Sequence, residues 1–248
     1  MLGKVFISHS SKDQQTADAI RQHLESAGLA CWIARRDIEA GAPRNSNFVQ
    51  NLALTFYFTR QFALNFQLSF ALVDRDWVRT KELIKKMNGG DDEAYFAYAQ
   101  SPVPIGCYSI LLAQLQREQT SANASFAEAR EQLNQKVQKT PGDAGWLSQL
   151  GVVDALLNNK AAAIAAAKRA VELSPISKDA VAGTLIELNL AVVYTWTNEL
   201  DLAFEALNSL AKIPVGLYYG ELKRDPYWEP LRQDPRYEKL LAELAPKR

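Results

Sequence analysis

The stretch KVFISHSSKD, residues 4–13, places Ser8, His9, Ser10 and Ser11 between a short apolar run and the opening of an amphipathic helix. Three chemistries compete for such a turn. A phosphate cradle requires glycine, so that backbone N–H groups can close on an oxyanion, and SHSSKD contains none. What stays is the general affinity of a helix N-terminus for negative charge. A nucleophile reading pairs Ser8 or Ser10 with His9, but neighbours on a strand point to opposite faces, which separates base from nucleophile. The other histidine, His23, falls on the polar side of its helix, so no triad is completed. The third reading is a helix cap. Ser11 and Gln14 have capping-box spacing, and Asp13 adds negative charge to the first turn. The cap leads. Ser8, Ser10 and Ser11 are kept as candidate ligand contacts, and no catalytic residue is assigned.

The rest of the chain offers few reactive constellations. Cys31 and Cys107 lie far apart without a CxxC or Cys/His cluster, which favours two reduced, buried thiols over a disulfide framework or a zinc site. Asp91, Asp92 and Glu93 follow Gly89-Gly90 but lack the alternating oxygen spacing of a calcium loop, so a solvated loop and no metal are expected. A formal net charge of zero gives no global attraction to nucleic acid or an anionic membrane. The pairs Arg35-Arg36 and Lys85-Lys86 are too short for a nucleic-acid footprint. The most apolar run, residues 48–73, is interrupted by Gln50, Asn51, Arg60, Gln61, Asn65 and Gln67. A membrane span needs about 20 nearly unbroken apolar residues. Met1 to Lys4 leads directly into a strand pattern rather than a targeting segment. A cytoplasmic protein is expected, with no cofactor, no nucleic-acid partner and no membrane partner.

The elements that would position the opening turn are short. Residues 4–8 read as a strand. Ala17, Ile20, Leu24 and Ala27 then repeat at helical spacing, with Gly28 placed to end the helix, and residues 29–38 read as a second strand closed by Gly41 and Pro43. Strand, helix and strand with such turns predict a right-handed βαβ unit. After Pro43 the strand signal stops, and helices of about a dozen residues follow. In GWLSQLGVVDALLNNK and AAAIAAAKRAVELSP, Leu147, Leu150 and Gly151 face Ala163, Ala167 and Ala170, and Pro175 closes the unit. Small residues allow two helices to approach closely. The pattern returns with Leu190, Ala191 and Tyr194 against Ala203, Leu207 and Leu210, closed by Pro214, and Asn158 and Asn198 take equivalent turn positions. The unit is about 34 residues plus an insertion. Looser copies fall at residues 61–88, with Trp77 opening the second helix, and at 106–141, with Ala129 and Leu133 inward. Phe62, Phe66 and Phe70 are expected in the repeat core, and Trp77, Trp146, Trp196 and Trp228 in helix packing. Asp225-Pro226 and Asp234-Pro235 are helix starts within a capping element.

The Leu147–Pro175 unit resembles the tetratricopeptide repeat (TPR), and the resemblance runs over roughly residues 60–245. It is similar to the repeat-bearing tails of bacterial signalling proteins. At the other end, Phe6, Ile7, Ser8, Ser10, Ser11 and Asp13, followed by Trp32, Arg36, Asp37, Ile38 and Gly41, resemble the start of a bacterial Toll/interleukin receptor (TIR) domain. That resemblance implies a flavodoxin-like fold that self-associates and, in many members, hydrolyses NAD. It also implies an interaction surface around Arg36, Asp37, Gly41 and Pro43.

The expected architecture is therefore mainly α: a βαβ fragment over residues 1–43, a connecting helix over 44–60, repeats over 61–222 and capping helices over 223–248. A lone βαβ of this size is near the lower limit for independent folding, so docking on the first helices or on another chain is expected, with residues 48–58 as the docking surface. The catalytic glutamate that the family carries on a later helix has no counterpart after a third strand, and neither Glu82 nor Glu93 follows one. The expected function is non-enzymatic protein–protein interaction through a repeat groove that takes a peptide or helix. An NAD-hydrolysing signalling enzyme and a truncated gene product are the alternatives.

Overall fold

The structure, a computed structural model, describes residues 5–7, 14–26, 31–33, 64–87, 93–94, 97–98, 103–118, 124–214 and 216–246. The chain divides into two compact units, Met1–Tyr57 and Phe58–Arg248. The division falls later than the expected boundary at Pro43. The connecting helix and the aromatic docking segment predicted over 44–60 lie outside the described residues, as do the Ser11 cap, Gly28 and Phe62.

In the first unit, β1 (Val5–Ile7) pairs in parallel with β2 (Cys31–Ile33), and α1 (Gln14–Ser26) lies between them in sequence. The register aligns Phe6 with Trp32. Ile20, expected on the inward face of α1, is about half exposed.

The second unit is mainly helical. Helix α2 covers the described residues 64–73 and is followed by α3 (Trp77–Met87). Then come α4 (Gly106–Leu115) and α5 (Ala124–Lys139), α6 (Ala144–Leu156) and α7 (Lys160–Leu173), and α8 (Ala182–Trp196) and α9 (Leu200–Leu210). These are four helical hairpins, and each first helix ends in the same way. Arg75, Arg117, Asn158 and Asn198 all have positive φ, spaced 42, 41 and 40 residues apart. In each, the next amide reaches the carbonyl five residues back: Asp76 to Ala71, Glu118 to Ala113, Asn159 to Asp154 and Glu199 to Tyr194. That bond is the Schellman closure, which satisfies a carbonyl that the helix end would otherwise orphan. Asn158 and Asn198 thus do hold equivalent turn positions.

Burial explains which helices are central. From Ser148 to Leu156 every residue of α6 is buried, and α8 is nearly as enclosed. Apolar residues on all sides mark a helix surrounded by others. The second helices bury single faces, Ala163, Ala167 and Ala170 on α7, and Ala203, Leu207 and Leu210 on α9. A Cβ added to Gly151 would lie 3.1 Å from the Ala163 carbonyl oxygen and 3.2 Å from the Ala167 Cβ, so the small residues set the α6–α7 approach. In α5, Ala129 and Leu133 point inward. Trp77, Trp146 and Trp196 pack against the core and Trp228 lies within it.

Three features depart from the sequence reading. Phe66 and Phe70 are 50% and 61% exposed, because Leu64, Leu68, Ala71 and Leu72 form the buried face of α2. Second, two strands follow Pro43: β3 (Glu93–Ala94) pairs antiparallel with β4 (Val103–Pro104). Strands of two residues are too short for an alternating pattern to register. The four described strands form two separate pairs, not one sheet.

The third departure is at the C-terminus. Helix α10 (Tyr219–Arg224), a 3₁₀ turn over Pro226–Leu231 and α11 (Pro235–Leu244) end the unit. Asp225 and Asp234 cap the last two with proline following, as the sequence predicts. Helix α11 seals α9: Arg236 bonds Asp201 at 2.6 Å and its guanidinium covers the Phe204 ring at 4.4 Å. The segment before it instead reaches the first hairpin turn. Arg224 bonds Asp74 at 2.9 Å, and Glu229 accepts from Arg75 at 2.6 Å.

Candidate functional site

Nine residues before each left-handed turn residue, the first helices carry Phe66, Tyr108, Gln149 and Asn189 in equivalent places. The last of these is at the centre of a hydrogen-bonded cluster. Asn189 is 1% exposed, yet its carboxamide is fully engaged. Its Oδ1 accepts from the Tyr98 backbone N–H at 3.2 Å, and its Nδ2 donates to the Tyr98 carbonyl at 3.2 Å and to Ser148 Oγ at 2.9 Å. One side chain thus satisfies both backbone groups of a residue 91 positions away. Both bonds go to the main chain, so the contact does not depend on which side chain residue 98 carries.

The side chain of Tyr98 is held separately. Its ring lies 6.3 Å from that of Tyr227 and 6.0 Å from that of Trp228, centroid to centroid, within the range of favourable aromatic pairs. Its hydroxyl accepts from Trp228 Nε1–H at 3.2 Å and donates to Asp225 Oδ2 at 3.3 Å. Tyr227 is fixed at both ends. Its hydroxyl accepts from the Ala97 N–H at 2.7 Å, and its carbonyl accepts from Trp196 Nε1–H at 2.9 Å.

Burial governs the electrostatics of this cluster. Burial, with Asp225 and Glu221 nearby, pushes the Tyr98 phenol well above its ordinary range, and burial does the same to Tyr227. Both stay neutral hydrogen-bonding groups. Burial also pushes the Asp225 carboxyl up to about 7, opposed by the Tyr227 amide and the Tyr98 hydroxyl and assisted by Glu221. Cys107 is buried with its thiol pushed up to about 12, which removes it as a thiolate nucleophile. No group of three or more metal-ligating side chains occurs among the described residues. Nor is any helix among them long and apolar enough to cross a membrane.

Ser8, Ser10 and Ser11, and the interaction residues Arg36, Asp37, Gly41 and Pro43, lie outside the described residues. Asp91 and Asp92 do too, while Glu93 belongs to β3. Trp228 and Asp225 were read only as helix packing and a helix start, and Tyr98, Ser148, Asn189 and Tyr227 were missed, but α6 and α8 carry a usable signal. Ser148, Gln149 and Asp154 interrupt the apolar run of α6, and Asn189 interrupts LIELNLAVV. A polar residue inside a helix that is otherwise apolar all round has to find a buried partner. Asp154 finds Arg130, which donates to both carboxylate oxygens at 2.6 and 3.0 Å, and Asn159 at 2.8 Å.

The comparisons with known proteins bear on the first unit. A family model described as the TIR domain matches residues 5–58, farther along the chain than the residues that suggested the resemblance and close to the boundary of Met1–Tyr57. No curated protein and no solved structure matches the chain. The N-terminal unit is thus similar to a TIR domain, and the match associates the chain with signalling.

Proposed function

We propose that the chain is a non-enzymatic interaction protein of bacterial signalling, acting in the cytoplasm. In this reading the four hairpins are a tetratricopeptide-like solenoid whose inner face takes an extended peptide or helix from a partner protein. The first unit is an incomplete flavodoxin-like TIR segment, a small βαβ unit that adds self-association through Arg36, Asp37, Gly41 and Pro43. The observation that carries the reading is Asn189, a buried carboxamide on a first helix that engages both backbone groups of Tyr98 as well as Ser148 Oγ. Support also comes from the recurring helix ends at Arg75, Arg117, Asn158 and Asn198, which give equivalent positions to residues on successive first helices.

The test compares the purified full chain with Asn189→Ala in capture of partner proteins from the native lysate, followed by direct binding to each captured protein. A partner that binds the wild type and loses at least tenfold in affinity to the variant supports the groove. Equal binding removes it. A second reading, an NAD hydrolase, is favoured by the TIR match at residues 5–58. Incubation with NAD separates the two: the interaction reading expects no nicotinamide, and its release would favour the enzyme.

A further inference from the structure

We infer that a cavity between α3, α4 and α5 binds a small carboxylic acid with an apolar tail, its carboxylate held by Lys85 and Ser109. The cavity shares no residue with the Asn189 cluster, so this inference stands apart from the groove reading.

The cavity measures about 270 Å³. Ile84 of α3, Leu112 of α4 and Phe126 of α5 line it, each at most 7% exposed, and form an apolar floor. Lys81 and Lys85 are four residues apart and so lie on one side of α3, where they border the same space as Glu118. An apolar hollow with a few polar groups gathered at it is the usual form of a small-molecule site.

The polar groups select the ligand. Lys81 is engaged: its ammonium donates to Glu118 Oε1 at 3.3 Å. Lys85 and Ser109 are not, since neither makes a hydrogen bond or an ion pair among the described residues. For Ser109 this departs from the habit of the fold. A hydroxyl inside a helix can return to the carbonyl four residues back, as those of Thr80, Thr184, Thr195 and Thr197 do. Ser109 lies within α4 and lines the cavity without such a bond. Two donors on different helices thus border one hollow, and a single oxyanion can satisfy both.

Charge narrows the class further. Glu118 offsets Lys81, which leaves one positive charge and suits a monoanion. A carboxylate matches that charge, whereas a phosphate monoester, nearly doubly charged at neutral pH, exceeds it. The apolar floor then requires an apolar tail. Lys85-Lys86 is too short a pair for nucleic acid, but one ammonium is enough for one carboxylate.

The experiment titrates the full chain with octanoate and follows the backbone amides by NMR. Saturable shifts are expected at Ile84, Ser109 and Leu112, with a dissociation constant on the order of 1 mM or tighter. Octanamide keeps the tail without the charge and should bind about fivefold more weakly or worse. Lys85→Gln should lose a similar factor, and Ser109→Ala roughly two- to tenfold for one hydrogen bond. Lys86→Gln, one residue along and outside the cavity, should bind like the wild type. The lysines are exposed, and thermal melting checks that each variant folds. Shifts that are absent at about 10 mM octanoate, or scattered over the surface, would overturn the inference. So would equal binding of octanamide, undiminished binding by Lys85→Gln or Ser109→Ala, or the same loss in Lys86→Gln as in Lys85→Gln.

Discussion

At Asp225 a single carboxyl joins three tasks: it caps the 3₁₀ turn through the Tyr227 N–H at 3.1 Å, accepts from the Tyr98 hydroxyl and lies near Glu221. Burial raises its folded pKa to about 7, from 3.8 in the absence of the fold. Below 3.8 the folded and unfolded chains both carry the proton. Between 3.8 and about 7 only the folded chain keeps it, so this group's contribution to stability falls as pH rises through that window and stays reduced above it. Asp225→Asn keeps one oxygen for the cap at the Tyr227 N–H and puts an NH2 in place of the oxygen that accepts from the Tyr98 hydroxyl, a loss that does not vary with pH. Measured by denaturant unfolding, the variant should gain on the wild type steadily from pH 4 to pH 7 and no further beyond. Glu221, also pushed up by burial, stays in both proteins but loses a like-charged neighbour in the variant, so Glu221→Gln is made in both backgrounds to isolate Asp225. A difference that is flat with pH would show that Asp225 ionises freely in the fold. This residue was legible only as a helix start: the Asp-Pro pair predicts the cap, but nothing local announces that Tyr98, far away in sequence, comes to lie against it.

Among the elements, the turns and the close helix contacts can be tested independently. Arg117 holds a left-handed conformation with φ of 57° at the end of α4, a region that costs a side-chain-bearing residue about 1–2 kcal/mol. Arg117→Gly should stabilise the second unit by about 1 kcal/mol, less the backbone freedom that glycine returns to the unfolded chain, and raise the thermal midpoint by roughly 2–4 °C. Gly151→Leu should act in the opposite sense. Its Cβ alone meets the α7 backbone, and the remaining atoms force the pair apart, at a cost of about 1–3 kcal/mol in the same melt. These features were the readable ones. Alanines and glycines at helical spacing, and Asn158 and Asn198 in matching places, reflect local packing and local backbone angles, which sequence carries directly. Phe66 and Phe70 misled for the complementary reason. Four-residue spacing identifies a stripe but not which of two stripes is inward, and Leu64, Leu68, Ala71 and Leu72 form the stronger one.

For the second unit taken whole, the decisive contacts are the distant ones. In an open array each hairpin meets only its neighbours, and losing the terminal element costs one interface. Here residues 224–229 contact the turn at 74–75. Trp228 and Leu231 lie in the core, and the Tyr227 carbonyl is tied to Trp196 of α8. Deleting residues 226–248 should therefore loosen α2 and α3 as well as α9. In hydrogen exchange, amides near Leu68 and Leu83 should lose protection in the truncated chain, whereas an open array would leave them unchanged. Such long-range closure was not legible, because a bond between residues 150 positions apart leaves no periodic pattern in the local sequence.

The bond from Arg224 to Asp74 spans 150 residues, and that from Arg75 to Glu229 spans 154. Translation proceeds at roughly 5–20 residues per second, so Asp74 leaves the ribosome about 8–30 seconds before Arg224 does. During that delay the first hairpin must persist without its eventual clasp, its exposed Phe66 and Phe70 facing a crowded cell. The residues that secure the first hairpin turn are synthesised long after it, and a ribosome that stalls between the two would leave that turn unfastened.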